Sequence, residues 1–235
     1  MFDKFLSFFR RNISDDEGEH TTALKNLPKE RKGKKIKAIF ADIPTFETQR
    51  LILRRIRVSD SSDMYEYSSD YEVTKYLTWY PHKTINESRE YAEYLQERYA
   101  NGKFFDWGIE HKENRKFIGT CGFTSINLNN NQAEVGYVLA RNYWGLGIVP
   151  EALRLIMDFG FNYLGFDKIE ARFLEGNERS RKVMQKMGMG FDKIMYNSMH
   201  LKGEYKTVYT YSVSKEKFNG LYESQYNQYN NNKYN

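Results

Sequence analysis

The sequence predicts a mixed α/β domain of the α+β type, with a largely antiparallel central sheet flanked by helices. Three observations carry that prediction. Strand-like runs at Phe104–His111, Lys116–Asn127 and Gln132–Ala140 are separated only by the polar turns His111–Asn114 and Leu128–Asn131, the pattern of an antiparallel meander. Apolar residues at helical spacing fill Thr84–Tyr99, the stretch from Leu153 to about Leu164, and Asn177–Met187. Two last strand-like runs, Lys193–Leu201 and Tyr205–Ser214, meet at Lys202-Gly203. A chain of 235 residues allows one substantial domain with extensions and a sizeable core.

Taken in order, Phe2, Phe5, Leu6 and Phe9 fall at helical spacing, so Met1–Arg11 reads as a short amphipathic helix for docking or self-packing. An acidic patch, Asp15 to Glu19, and a basic patch, Lys29 to Lys37, follow. Residues 12–35 read mostly as a solvated linker. The expected organisation is an extension over 1–44, a domain over 45–216, and an Asn- and Tyr-rich disordered tail over 217–235. Within the domain, Gln49–Val58 alternates apolar and basic residues and reads as a strand, and Ser59-Asp60 as a helix N-cap. Gly165 and Gly188 are placed as helix stops.

The stretch Arg141–Arg154 joins the alternating run A-E-V-G-Y-V-L to an apolar-periodic helix through Gly145, Gly147 and Pro150. Proline suits a first helical position, where its missing N–H has no partner. Strand, tight glycine turn and helix N-terminus make an anion-binding geometry, because free N–H groups converge there and the helix dipole adds positive charge. An ordinary strand-to-helix connection explains the same residues equally well.

Composition narrows the function classes. The formal charge of +5 is spread among interspersed acids and bases, which argues against a nucleic-acid interface and suits an anionic cofactor. One cysteine, Cys121, rules out an internal disulfide framework and a cysteine-based zinc site, and is compatible with a cytoplasmic setting. The four histidines show no ligand spacing, so no metal is expected. No apolar run approaches the roughly 20 residues of a membrane span.

Three stretches in this order resemble the GNAT superfamily of acetyl-CoA-dependent N-acetyltransferases, and within it the RimJ/RimL-like branch that acetylates protein N-termini. They are T-Q-R-L-I-L-R-R-I at Thr48–Ile56, A-E-V-G-Y-V-L with Y-W-G-L-G-I-V-P-E-A, and Ile169–Gly188. The match covers roughly residues 45–214. It departs from the family pattern at Leu146, Val149 and Pro150, where Lys, a small residue and Thr are frequent.

The resemblance implies a direct transfer of acetyl from acetyl-CoA to a primary amine, with the α-amine of a protein N-terminus as acceptor. A small amine such as an antibiotic or polyamine is the alternative enzyme reading, and a non-catalytic acyl-CoA-binding module the alternative class. The turn Trp144, Gly145, Leu146, Gly147, Ile148, Val149, Pro150 is expected to hold the pyrophosphate. Val138 and Leu139 amides are expected to meet the pantetheine arm and the oxyanion. Asn177 is expected at the pantetheine, although a plain N-cap explains Asn as well. Ser180, one helical turn on, is expected near the thioester sulfur. For the base the residues offer Glu134, or Asp106 or Glu110 on the first meander strand. A structural salt bridge explains Glu134 nearly as well. The rings of Tyr137, Tyr143 and Trp144 read as core and loop packing.

Overall fold

The computed structural model describes Leu24 and residues 27–103 and 105–221. Met1–Arg11, the acidic patch and residues 222–235 lie outside the described residues. In chain order the elements are α1 (Lys29–Ala41), β1 (Phe46–Glu47), β2 (Leu51–Arg54), a 3-10 turn at Val58–Asp60, α2 (Ser61–Ser68), α3 (Tyr71–Thr74) and α4 (Ile85–Ala100). There follow β3 (Asp106–His111), β4 (Lys116–Asn127), β5 (Gln132–Leu139), α5 (Ile148–Asp158) with a π-turn at Phe159–Tyr163, β6 (Lys168–Leu174), α6 (Glu178–Lys186), β7 (Gly190–Leu201) and β8 (Glu204–Ser214). A last helix, α7, spans 215–221.

The sheet has eight strands in the order β1-β2-β3-β4-β5-β6-β8-β7. All neighbours are antiparallel except β5 and β6, whose parallel pairing runs only from Gln132↔Lys168 to Val135↔Ala171. The meander and the final hairpin are as the alternation predicts. The parallel join follows from the helix between β5 and β6, which carries the chain back to the same sheet end.

Residues directly opposed on neighbouring strands share a sheet face. Trp107, Cys121 and Tyr137 therefore point to one face, and Asp106, Gly122 and Gly136 to the other. The first face carries α1 and α5. There Phe40 sits edge-on to Phe105, Trp107, Phe123 and Phe159. The second face carries α2 and α4, with Tyr67 against Phe117 and the Tyr99 hydroxyl donating to the Asp106 carbonyl at 2.7 Å. Ser68, Ser88 and His82 Nδ1 tie α2, α4 and the loop between them, within 2.7–3.2 Å of one another.

Two expectations are corrected. The basic patch is no linker: α1 occupies Lys29–Ala41, and the folded unit begins before Thr45. Its buried stripe is Lys32, Ile36 and Phe40, one residue per turn. Lys32 is accommodated because its ammonium reaches the Asn131 side chain and the Gly165 carbonyl, and lies 5.3 Å from the Phe166 ring centre. The C-terminal end is likewise folded beyond residue 216, where the disordered tail is expected to begin, since Phe218 of α7 is 2% exposed and packs on Phe161. Both segments add apolar stripes too narrow to stand out among charges.

Phe40→Ala is expected to cost about 3–5 kcal/mol, as a large aromatic lost from a closed core does. Urea unfolding of the full chain checks it. A loss below about 1 kcal/mol would show that α1 merely decorates the domain.

Candidate active site

The glycine turn is built as an open cradle. Gly145 and Gly147 have φ of 79° and 75°, the left-handed region that L side chains avoid. A Cβ on Gly145 would meet nothing within 4 Å, so the backbone conformation, not crowding, demands glycine here. Gly147 caps α5, so Ile148 and Val149 are the first helical residues and Pro150 the third. This corrects the placement of Pro150 at the first position. A proline is tolerated at either place, because neither N–H has an intrahelical acceptor. It also means that Pro150 shapes the turn but donates nothing. No hydrogen bond among the described residues takes up the amides of Gly145, Leu146, Gly147, Ile148 or Val149.

Trp144 is spent differently. Its amide donates to Arg141 O at 3.0 Å and its indole to Leu139 O at 2.8 Å. Its ring carries the exposed Arg179 guanidinium 4.3 Å above the ring centre. Trp144 thus braces the turn and positions a cation, which fits the packing reading of its ring better than a direct donor role.

Arg50, which the sequence reading left in the opening strand motif, locks the turn. Its guanidinium donates to Leu146 O at 2.9 Å and to Glu151 Oε2 at 2.8 and 2.5 Å. One carbonyl of the turn is thereby drawn away from the amide-lined side. Only the tertiary fold brings residues a hundred positions apart together, so spacing alone carries no such signal.

The turn stands at one end of an opening in the sheet. Beyond Val135↔Ala171, β5 stays with β4 as far as Leu139↔Gly119, while β6 stays with β8. Amides alternate in direction along a strand. Ala140 N–H donates to Ile118 O at 2.8 Å, so the Val138 amide also points to β4. Leu139 and Tyr137 face the opening instead, as the indole bond to Leu139 O confirms for Leu139. Leu139 therefore meets its expectation of direction. Val138 does not, and Tyr137 takes its place.

On the first face, α6 ends at the opening. Asn177 caps it, its Oδ1 accepting from Ser180 N at 3.3 Å, so the plain cap is real and leaves Nδ2 uncommitted among the described residues. Ser180 Oγ lies 2.8 Å from the Tyr137 hydroxyl. Burial raises the Tyr137 pKa, and the bond to Ser180 opposes this only in part, so the phenol is neutral around pH 7. The sequence places Tyr137 and Ser180 on separate elements and reads the ring as packing. Their pairing appears only in three dimensions.

The three carboxylates considered as base are sorted by their partners. Glu134 is ion-paired with Arg172 at 2.6 Å. Glu110 is held by Arg54 at 2.6 Å, and Arg54 also grips Asp60 through two contacts of 2.8 Å. Burial works against the Arg54 charge, but the two carboxylates outweigh it and keep it protonated. Asp106 has no such cation. Its Oδ1 is closed to solvent and without a hydrogen-bond partner among the described residues. Burial pushes its pKa up to about 7, with bonds from the Thr120 hydroxyl and the Trp107 amide pulling the other way.

An amide-lined glycine turn at the end of an opened mixed sheet is an arrangement that suits an extended, anionic ligand. A family model described as the acetyltransferase (GNAT) domain matches residues 50–190. The chain is similar to the uncharacterized N-acetyltransferase p20 of Bacillus licheniformis, at 33% identity over 75% of this chain and 99% of that protein. Among solved structures it resembles a GNAT-family acetyltransferase from Bacillus anthracis, with a TM-score of 0.65, 22% identity, and coverage of 74% and 99% of the two chains. It also resembles RimL, a ribosomal L7/L12 α-N-protein acetyltransferase in complex with coenzyme A, with a TM-score of 0.63, 18% identity, and coverage of 73% and 98%. The chain belongs to the GNAT family of N-acetyltransferases. Among the described residues no helix is long and apolar enough to cross a membrane.

Gly147→Val forces a β-branched residue into the left-handed region, which disfavours L residues by about 1–2 kcal/mol. Coenzyme A affinity by calorimetry is expected to fall roughly ten-fold. Unchanged affinity would remove the turn from the binding site.

Proposed function

We propose that the chain binds acetyl-CoA across the opening between β5 and β6 and transfers the acetyl group to the α-amine of a protein or peptide. One observation carries the reading: uncommitted amides of the turn, the outward edge of β5 at Tyr137 and Leu139, and the Tyr137–Ser180 hydroxyl pair lie along a single opening. The turn suits the diphosphate, because converging N–H groups and a helix N-terminus favour anions. Arg179 adds a cation beside it. With Leu139 O taken by the Trp144 indole, the outward amides of Tyr137 and Leu139 and the Tyr137 carbonyl remain to pair with an extended amide-bearing arm as a further strand would. The Leu139 amide also suits a developing oxyanion, and the uncommitted Asn177 Nδ2 offers a further donor at the mouth of α6.

Three tasks remain: freeing the amine lone pair, holding the oxyanion, and protonating the departing thiolate. Ser180 suits the last: its hydroxyl shares a hydrogen bond with the Tyr137 hydroxyl, which also reaches the Ser180 carbonyl, and its proton can turn to the sulfur. Glu134 suits the first less well than its position alone implies, since its carboxylate is already taken up by Arg172.

The acceptor class follows from charge. An α-amine has an ordinary pKa near 8 and is partly neutral at pH 7, whereas a lysine-type amine near 10.4 is not. A polyamine calls for unpaired carboxylates. Most acids on the helices of the second face are already used: Asp60 by Arg54, Asp63 by the Phe117 amide, Glu66 by Lys116, Asp70 by Arg141 and Glu87 by the Lys83 amide.

Two measurements follow. Ser180→Ala and Tyr137→Phe are each expected to lower kcat about 10–100-fold with smaller effects on the KM for acetyl-CoA; a wild-type kcat in both, with chemistry rate-limiting, returns the pair to a structural role. Steady-state comparison of free and N-terminally blocked peptides, spermidine and an aminoglycoside tests the acceptor. A small amine exceeding every free peptide by about ten-fold or more in kcat/KM would make it the substrate class.

A further inference from the structure

We propose that Asp106 is the proton acceptor for the incoming amine, reached from the α2/α4 face of the sheet beside Gly122 and Gly136. The proposal rests on the acetyl-transfer reading above and supplies the base that the reading lacks.

The geometry begins with register. Asp106, Gly122 and Gly136 are directly opposed across β3, β4 and β5. Their side chains therefore share one face, and two of the three have none. A Cβ on Gly122 would lie 2.6 Å from Asp106 Oδ1, so the carboxyl leans over Gly122 toward β5. Gly136 is the first residue of β5 past its last pair with β6, so it stands at the start of the opening. Adjacent strands lie about 4.8 Å apart, which puts Asp106 and Gly136 backbones roughly 10 Å apart. The carboxyl leans across part of that distance and the Thr124 methyl lies over Gly136, so the proton is routed through one bridging water, a relay that general-base catalysis tolerates.

The surroundings keep the carboxyl responsive. Tyr67 of α2 and Tyr91 and Tyr99 of α4 bear on it from the same face, and Cys121 of β4 from the other; burial keeps Tyr67, Tyr99 and Cys121 neutral at pH 7, and the more exposed Tyr91 is neutral there too. The nearest cation on this face, Arg54 on β2 opposite Gly108, is occupied by Asp60 and Glu110. Glu134, on the same face, is occupied by Arg172. Asp106 is half-buried with one enclosed, unpartnered oxygen, a destabilising arrangement that calls for a reason. Among the three candidate carboxylates, Asp106 alone can take up a proton without first breaking an ion pair.

The step balances simply. The acceptor amine reacts in its neutral form. As its lone pair forms the C–N bond to the thioester carbonyl carbon, one N–H bond breaks, its electron pair stays on nitrogen, and the proton passes to the Asp106 carboxylate through a bridging water. The C–S bond then breaks, and the departing thiolate takes a proton from Ser180, which solvent restores. Asp106 releases its proton to solvent after the product leaves.

The test is the pH dependence of kcat/KM with free-N-terminus peptides and acetyl-CoA. Below about pH 7 the wild type must deprotonate both the amine and Asp106, so log kcat/KM is expected to fall with a slope of about two. Asp106→Asn is expected to lose roughly 10²–10⁴-fold at pH 8 and to fall with a slope of about one. Thr120→Val removes a hydrogen bond that favours the carboxylate, so its limb is expected to move to higher pH while the slope stays at two. That shift is one that a structural role for either residue would not produce.

Folding is checked on the same proteins. A carboxyl whose pKa is raised on folding contributes stability at low pH that is lost as pH rises through about 7. Asp106→Asn is therefore expected to have a higher Tm than the wild type at pH 8, with the gap closing toward pH 5. An Asp106→Asn protein within about three-fold of wild-type kcat/KM, an unchanged slope, or a Thr120→Val limb that stays put would overturn the assignment. Absence of turnover by the wild type with any amine would overturn the transfer reading beneath it, while coenzyme A calorimetry still reports on the site.

Discussion

The structure depends on where the parallel pairing of β5 and β6 stops. Each strand keeps a complete partner on its other side, β4 for β5 and β8 for β6. Parting after Val135↔Ala171 therefore exposes one row of backbone groups on each strand instead of unravelling the sheet. Unpaired backbone groups in a fold are unfavourable unless something satisfies them. Trp144 satisfies Leu139 O from within the protein. What remains along the edge of β5 is an unfinished ladder, and under the proposed function an extended ligand with amide groups would complete it.

The glycine turn poses an opposite difficulty. Glu151 lies in the first turn of α5, where a carboxylate is favourable to the helix dipole but unfavourable to a bound phosphate. Arg50 reconciles the two by neutralising Glu151 and by holding Leu146 O in the same grip. Because Arg50 precedes β2 and its carbonyl accepts from the Lys112 amide, the turn is referenced to the opposite edge of the sheet. A phosphate cradle fixed from two directions keeps its amides convergent without ligand, which reduces the ordering that binding would otherwise require.

How much of this was legible in the sequence varies with the range of the interaction. Periodicity and turn chemistry are local, so the meander, the β7–β8 hairpin, the Asn177 cap and the glycine turn were all readable. Helix α1 was not, because Lys32, Ile36 and Phe40 form a one-residue-wide stripe amid lysines, and their burial depends on Phe105, Trp107 and Phe123 of distant strands. The candidate site divides in the same way. Gly145, Gly147, Leu139, Asn177 and Ser180 fall at the opening as local pattern and resemblance imply. Arg50 and Tyr137 were missed as site residues, since their roles consist of contacts 96 and 43 positions away. Val138 was misassigned because alternation gives the face of a side chain, while the direction of an amide depends on which neighbour takes the adjacent hydrogen bond.

Alternation also explains why two proton-handling groups can coexist at one opening. Tyr137 and Gly136 are neighbours in sequence and so lie on opposite faces of β5. The hydroxyl pair Tyr137–Ser180 consequently stands on the α5/α6 face, and Asp106 on the α2/α4 face. A carboxylate placed on the hydroxyl face would accept the very proton that the thiolate needs. The sheet keeps them on its two faces. A single residue's shift in the register of β5 would exchange the faces of Gly136 and Tyr137, driving a tyrosine ring into the Thr124 methyl and emptying the hydroxyl pair. The bulge in β4 between Phe123 and Ser125 sits immediately beside that point, where Thr124 stands without a counterpart on β5. It lets the strands keep their pairing on both sides while the register that separates the two groups is held fixed.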